Sequence, residues 1–353
     1  MKTSQLIQLE NTRRERRWLE KNHPLRQLFW ECTLRCNLAC RHCGSDCRKE
    51  ALTPDMPLDH FLPVLDDVAA MTQPSKVLIN TVGGEPLVRE DIVECGKAIT
   101  CRGFLWGFVT NGVLLTQDML DAVLDAGLDT VAVSLDGLEP EHNWLRGNSF
   151  TGAMNAINRL VNTPDLLWDV ITCVNQRNFS TLPQLKQYLI DAGVKKWRLF
   201  TIFPQGRAKL NPELFLSPEQ YKSMMDFIVA TRQEDEINLS YSCEGFLGEY
   251  EGKARKHIYR CDSGLMTASV LANGDISGCM SIRSHYAQGN IYHDKFSDVW
   301  NNRFEQMRNR RWMKRDQCKR CKMWDWCAGG PFHLRGDNGE MLHCNYLTLC
   351  EAK

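Results

Sequence analysis

Three cysteines, Cys36, Cys40 and Cys43, stand at a C-x3-C-x2-C spacing just after an apolar run at 28–33 that predicts a β-strand. Three thiolates this close together can hold three irons of a cubane cluster, which leaves the fourth iron open to another ligand. A zinc site takes four ligands, usually from two C-x2-C knuckles, and an asymmetric trio does not supply them. A structural cysteine loop is the other reading at this point. Cys32 and Cys47 flank the trio but fall outside its spacing.

The remaining cysteines are clustered too. Of 16 in all, five lie from Cys32 to Cys47 and eight from Cys243 to the C-terminus. Cys95, Cys101 and Cys173 between them read as small core residues. In a reducing compartment such clusters bind metal rather than form disulfides. The cytoplasm is the expected location. No stretch reaches the roughly 18 apolar residues of a membrane span, so no membrane insertion is expected. The first 25 residues carry Arg13, Arg14, Arg16 and Arg17 among Glu10, Glu15 and Glu20, unlike a signal peptide. The run at 13–17 reads as a solvated face, with an acidic partner as the sharper alternative. Lys and Arg (43) balance Asp and Glu (43), which argues against a nucleic-acid partner held by bulk charge.

Residues 1–25 form an arm, and from 26 to 234 short apolar runs alternate with amphipathic stretches. Strands are expected at 28–33, 76–82, 105–110, 130–135, 168–174 and 196–203. Helices are expected at 58–71, 91–101, 116–126, 151–161, 182–192 and 218–231, with Thr116 as one N-cap. Six βα units predict an α/β fold, a partial (β/α)6 TIM-like barrel, though the count alone leaves a doubly wound sheet open. In a parallel barrel chemistry collects at the C-terminal strand ends. Those ends carry the cysteine trio, Gly83-Gly84-Glu85-Pro86, Thr110-Asn111-Gly112, Ser134-Leu-Asp136, Asn175 and Gly206-Arg207.

From 235 to 353 the rhythm stops and a cysteine-rich region follows. A strand at 237–242, a hairpin turning at Asn273-Gly274 and a helix at 297–310 capped by Ser297 are expected. The basic stretch 303–322 reads as a solvated helix face; alternatively it offsets cluster thiolates or meets an acidic substrate.

The trio, together with Gly83-Gly84-Glu85-Pro86 after the second strand, resembles the radical SAM superfamily. The resemblance implies a [4Fe-4S] cluster on Cys36, Cys40 and Cys43 whose open iron is chelated by the amino and carboxylate groups of S-adenosylmethionine. Gly83, Gly84, Glu85 and Pro86 would bind the methionine amino group. Two glycines let backbone approach a ligand, and an oxygen accepts from an ammonium. Ser134 and Arg146 would meet the carboxylate, Asn111 and Asn175 would lie near the nucleoside, and His42 would lie against the adenine. The C-terminal region resembles a SPASM domain, which carries two auxiliary clusters. Cys261-x12-Gly274-x4-Cys279, Cys318-x2-Cys321-x5-Cys327 and Cys344 match six of its seven positions, and Pro331 stands where the seventh cysteine belongs. The resemblance assigns Cys318, Cys321, Cys327 and Cys344 to one cluster. Cys261 and Cys279 go to the other, with Cys243 as an upstream ligand and Cys350 as a candidate fourth. Zinc in the Cys318–Cys344 group is the alternative.

The resemblance further implies reductive cleavage of S-adenosylmethionine to a 5′-deoxyadenosyl radical, with an external flavodoxin- or ferredoxin-like electron donor. The expected substrate is a peptide or protein that is oxidatively modified. The context of the trio, from Trp30 through Cys47, is similar to a branch paired with lipoproteins or small peptides. Met280 follows Cys279 where the sulfatase-maturing branch has an acidic residue, which argues against that activity. The 25-residue arm is shorter than a leader-binding domain. The alternatives are small-molecule biosynthesis of a cofactor or heme type, and a non-catalytic iron–sulfur electron carrier. No catalytic acid or base is assigned.

Overall fold

A computed structural model describes residues 3–242, 244–283 and 285–352. The arm is a helix, α1 (Thr3–Asn22), so polar that it buries only Leu9 and Leu19. Leu9 packs with Phe246, Ile258 and Tyr259 of the C-terminal region. The expected strands follow as β1 (Gln27–Thr33), β2 (Leu78–Gly83), β3 (Leu105–Thr110), β4 (Thr130–Ser134), β5 (Leu167–Val174) and β6 (Lys196–Thr201). They pair in chain order, all parallel. The joining helices are α2 (Leu58–Met71), α3 (Ile92–Thr100), α4 (Gln117–Asp125), α5 (Glu139–Arg146), α6 (Phe150–Val161), α7 (Leu182–Asp191) and α8 (Pro218–Glu234). Of these α5 escapes a periodicity reading, because only His142 and Leu145 of its eight residues are buried.

Local chemistry sets several ends. Thr116 caps α4 by accepting from the Met119 N–H at 3.2 Å. Ser217 and Gln220 cap α8 reciprocally, side chain to backbone, at 3.2 and 2.9 Å. Inside the sheet, the Trp106 and Trp197 indoles are fully buried and each donates to a threonine hydroxyl, Thr81 at 3.3 Å and Thr172 at 2.9 Å. Trp30 of β1 stacks on Phe61 of α2, ring centroids 4.2 Å apart.

The sheet continues past residue 235. β7 (Asn238–Tyr241) adds in parallel to β6, and β8 (Thr267–Val270) adds in parallel to β1 at the other side. β9 (Asp275–Ser277) and β10 (Gly289–Asn290) then turn back antiparallel, with Asn273-Gly274 in the β8–β9 turn. The ten strands run β10-β9-β8-β1-β2-β3-β4-β5-β6-β7, an open sheet with β10 and β7 at its edges. Behind the cysteine loop, Glu31 of β1 binds Arg283 at 2.7 Å and the Ala272 N–H at 3.1 Å, which ties the C-terminal region to the barrel.

The helix expected at 297–310 is broken into α9 (Phe296–Asn302) and α10 (Glu305–Arg308), followed by a tight turn at 310–313. Arg308 causes the break. Its guanidinium takes the carbonyls of Trp300, Asn301 and Gly264, and the first two are acceptors a continuing helix would need. Ser297 is not the cap either; Asp67 of α2 accepts its N–H at 2.6 Å. Two short helices, α11 (Trp324–Cys327) and α12 (Asn345–Glu351), complete the chain. No helix among the described residues is long and apolar enough to cross a membrane.

Candidate metal centres

Parallel pairing puts the C-terminal ends of β1 to β6 on one rim. The cysteine loop crosses it. Each sulfur of the trio is met by an N–H donor: Cys36 by Leu38 at 3.4 Å and Asn111 at 3.9 Å, Cys40 by Arg146 at 3.9 Å, and Cys43 by Cys47 N–H at 3.4 Å. Donors aimed at sulfur stabilise thiolate and cluster charge. The flanking cysteines do the reverse. Cys32 and Cys47 turn their sulfurs toward carbonyls, those of Val82 and Ser45. The Cys47 thiol also meets Cys43, and this contact holds the Cys43 thiol below its usual range. Among the described residues, no three His, Cys, Asp or Glu side chains converge to hold one metal ion. Three cysteine sulfurs on one loop, each met by an N–H donor, supply the anionic ligands that a cluster would need. The residues therefore fit the implied group.

Bracing comes from β6 and β4. Arg207, in the loop after β6, donates to the carbonyls of Cys40 at 2.8 Å and Cys47 at 2.9 Å. Asp136, just past β4, is fully buried, pairs with Arg146 and accepts from the Cys173 N–H at 2.7 Å. His42 lies against the same pair, 3.4 Å from Arg146 and 3.7 Å from Asp136. Burial, aided by Arg146, pushes its imidazole down to about 4, so it is neutral near pH 7. Its buried Nδ1 has no hydrogen-bond partner among the described residues. That is an open polar position beside the cluster loop, where a bound cosubstrate would supply a partner.

Gly83 and Gly84 have a use the sequence reading did not include. Gly84 N–H donates to Thr33 O at 2.8 Å and Glu85 N–H to Arg35 O at 2.9 Å. A Cβ on Gly83 or Gly84 would lie 1.9 Å from Thr33 O or 2.0 Å from Arg35 O. The glycines thus allow this loop to close on the segment that enters the cysteine trio. Glu85 is buried with both oxygens engaged, one by Thr110 Oγ1 (2.7 Å) and Leu87 N–H (3.2 Å), the other by Asn111 N–H (2.7 Å). Pro86 opens a short turn at 86–88. Ser134 ends β4 and is buried. Asn175 Oδ1 accepts from the N–H groups of Arg177 and Asn178, at 2.9 and 3.3 Å, so its side chain shapes the turn after β5.

In the C-terminal region, Cys318, Cys321, Cys327 and Cys344 line one cavity of ≈ 360 Å³. Burial, then the other three thiolates, pushes the Cys327 thiol up to about 12. Arg335 donates to the Cys318 sulfur at 3.5 Å. Cys350 lines the same cavity, beside this set rather than beside Cys261 and Cys279. Cys261 and Cys279 are close enough to couple electrostatically. Arg310 and Ser263 outweigh burial and hold the Cys261 thiol below its usual range. Cys243 lies outside the described residues.

A smaller cavity of ≈ 260 Å³ opens where β5 and β6 meet the C-terminal region. Phe203, Phe215, Tyr221 and Leu342 supply apolar wall, and Glu244, His333 and His343 supply polar groups. The Phe203 ring closes over Gly44 of the cysteine loop, so this cavity adjoins the trio. Glu244 accepts from Thr201 N–H at 2.6 Å and Tyr241 OH at 2.7 Å, and burial pushes its carboxyl up to about 7. Glu244, His333 and His343 have no signal in the sequence, whereas Asp136 stands in the Ser134-Leu-Asp136 group at the end of the fourth strand. Those three are joined only by the fold.

The family model of the radical SAM superfamily matches residues 30–189, and that of the SPASM iron–sulfur cluster-binding domain matches residues 261–322. The chain is a radical SAM enzyme with a SPASM domain, and its cofactors are [4Fe-4S] clusters and S-adenosylmethionine. The electron-carrier alternative falls with that assignment. The chain is 26% identical over 337 residues to an AdoMet-dependent heme synthase of Methanosarcina barkeri, covering 90% of this chain and 94% of that protein. It is 28% identical over 310 residues to the mycofactocin maturase MftC of Mycolicibacterium smegmatis, covering 86% and 77%. Streptococcus suis SuiB bound to its precursor peptide SuiA superposes with a TM-score of 0.70 at 16% identity, covering 90% of this chain and 75% of that one. At that identity the likeness is one of fold.

Proposed function

We propose that this enzyme oxidatively modifies a side chain of a peptide or protein, by hydrogen abstraction at the cavity between β5, β6 and the C-terminal region. The cavity's size carries the reading. At ≈ 260 Å³ it lies below the ~300–1,000 Å³ of pockets that enclose whole small-molecule ligands, and it suits one large side chain on a longer chain outside. When bound, the reduced cluster and S-adenosylmethionine supply a hydrogen-abstracting 5′-deoxyadenosyl radical. Cys36, Cys40 and Cys43 hold the cluster; Arg207 and Arg146 fix their loop. The backbone at Gly83–Gly84, Ser134 and Arg146 orients the methionine moiety, and His42, Asn111 and Asn175 border the nucleoside. Phe203, Phe215 and Tyr221 exclude water from the target side chain. Glu244 is placed to take a proton from it. Cys318, Cys321, Cys327 and Cys344 hold one auxiliary cluster, and Cys261 and Cys279, with Cys243, the other. When bound there, these clusters would supply an acceptor for an electron from the substrate, and a flavodoxin- or ferredoxin-like protein would be the external electron donor to the first.

The test is anaerobic reconstitution with dithionite, S-adenosylmethionine and candidate partner peptides, followed by mass spectrometry. A mass change in one peptide, matched by 5′-deoxyadenosine, is expected. A second reading, heme-type small-molecule synthesis, is favoured by the likeness to a heme synthase over 94% of that protein's length. Consumption of an iron porphyrin precursor, with no peptide altered, would overturn the first reading in favour of the second.

A further inference from the structure

Away from the strand-end rim, a cavity of ≈ 500 Å³ lies between α1 and the 305–325 segment, lined by six arginines. Arg13, Arg16 and Arg17 share one face of α1, at i, i+3 and i+4. Arg308, Arg310 and Arg311 face them. Only three carboxylates, Glu20, Glu305 and Asp325, line the same space, and of these only Glu20 makes an ion pair, with Arg16, among the described residues.

Two of the six are paired with carboxylates, Arg13 with Glu10 at 2.8 Å and Arg16 with Glu20 at 2.9 Å, and the other four make no ion pair among the described residues. Arg308 and Arg310 are buried, 8% and 4% exposed; Arg308 bonds the carbonyls of Gly264, Asn301 and Trp300, and Arg310 those of Met307, Gly330 and Cys261 and also the Cys261 thiol. Carbonyl dipoles satisfy the Arg308 N–H groups but leave its net charge in place. The buried Nε of Arg13 has no hydrogen-bond partner among the described residues. Arg17 and Arg311 are exposed and make no side-chain hydrogen bond or ion pair among the described residues. An ordinary solvated face would spread these charges over a convex surface. Here they are gathered in a concavity, where like charges repel unless something neutralises them.

We propose that this cavity is a binding site for a small polyanion, a molecule carrying two or more phosphate or carboxylate groups. Guanidinium groups pair bidentately with both, and two facing rows of them match a ligand whose anionic groups lie on opposite ends. None of the residues placed at the S-adenosylmethionine site lines this cavity, so the site is separate from the cosubstrate's. A ligand here bridges α1 and the segment whose Arg310 holds the Cys261 carbonyl, and so braces one auxiliary cluster region against the arm.

Calorimetric titration of the anaerobic, cluster-loaded full-length enzyme with inorganic tripolyphosphate in one arm and citrate in the other tests the site. Both probes also chelate iron, so cluster absorbance is followed in parallel, and the R17Q/R311Q double variant supplies the background. Those two side chains make no bonds that fold the protein. Saturable binding of either probe to the wild type, weakened at least tenfold in R17Q/R311Q and unchanged in K209Q, a variant of an exposed lysine outside the cavity, is expected. The stronger arm tells phosphate from carboxylate. A bound probe should also raise the wild type's thermal midpoint but not the double variant's. Equal affinity in wild type and double variant, or no saturable binding by either probe, would overturn the proposal. Binding of an acidic polypeptide but of neither small anion would overturn it too.

Discussion

A methyl group on Gly84 would lie 2.0 Å from the Arg35 carbonyl oxygen. Gly84→Ala is therefore expected to push the loop after β2 off the segment that enters the cysteine trio, at a cost of about 1–3 kcal/mol. The check is the protein's cluster absorbance after reconstitution, which should fall while the auxiliary clusters persist. Glu85 beside it makes a pH-dependent prediction. Burial holds its carboxyl at about 7, above the ordinary 4.5, against the opposing pull of the Asn111, Thr110 and Leu87 donors. A carboxyl raised in the fold favours the folded state fully below pH 4.5 and loses that contribution as pH rises through 7, up to roughly 3 kcal/mol. Glu85→Gln cannot titrate and turns an amide N–H₂ toward a donor. It should be less stable than the wild type at pH 5.5, with the gap narrowing by pH 8; denaturant melts at both values measure it. The Gly-Gly-Glu-Pro motif stands out in the sequence as a candidate site. Its packing against Thr33 and Arg35 does not, because those contacts join positions about fifty apart in the chain.

At the level of elements, periodicity located the six strands and their main helices, because each buries one apolar face against the sheet. It failed where one side chain overrides the pattern. Arg308 breaks the helix expected at 297–310 by taking the carbonyls of Trp300 and Asn301. Helix α5 was missed because its work is polar: it delivers Arg146 to Asp136 and Cys40. A second buried arginine holds the segment after β7. Arg255 bonds Glu251 at 2.7 Å, the Ser242 carbonyl at 2.9 Å and the Gly245 carbonyl, and both partners of the ion pair are fully shielded from water. Arg255→Leu leaves the Glu251 charge buried alone, and a loss of about 3–5 kcal/mol is expected. Thermal unfolding of the variant checks it. A loss below about 1 kcal/mol would show that Glu251 finds another partner or sheds its charge.

On the scale of the whole molecule, the cysteines divide into separately braced sets. The loop of Cys36, Cys40 and Cys43 is held by Arg207 and Arg146 from the barrel. Cys318 is held by Arg335, inside a cavity it shares with Cys321, Cys327 and Cys344. Separate bracing predicts separable loss. Three cubanes would give about twelve irons per chain. Cys318→Ala with Cys327→Ala should remove about four of them and leave reductive cleavage of S-adenosylmethionine intact, while the proposed peptide modification falls. Replacing Cys36, Cys40 and Cys43 together by Ala should remove a similar number and abolish 5′-deoxyadenosine formation. Iron analysis alongside product chromatography reads both outcomes on the same samples. Deoxyadenosine surviving in the triple variant would sink the assignment of the trio. Its loss in the Cys318 and Cys327 variant, with the first cluster still present, would mean that the two regions act as one unit. The structure offers a route for such coupling, since Arg283 binds Glu31 beneath the cysteine loop and also acts electrostatically on Cys279. Arg283→Met tests that route directly: if the pair only anchors β1, melting shifts and the cluster potentials stay, whereas a shift in the potential of either cluster shows that the charge reaches both.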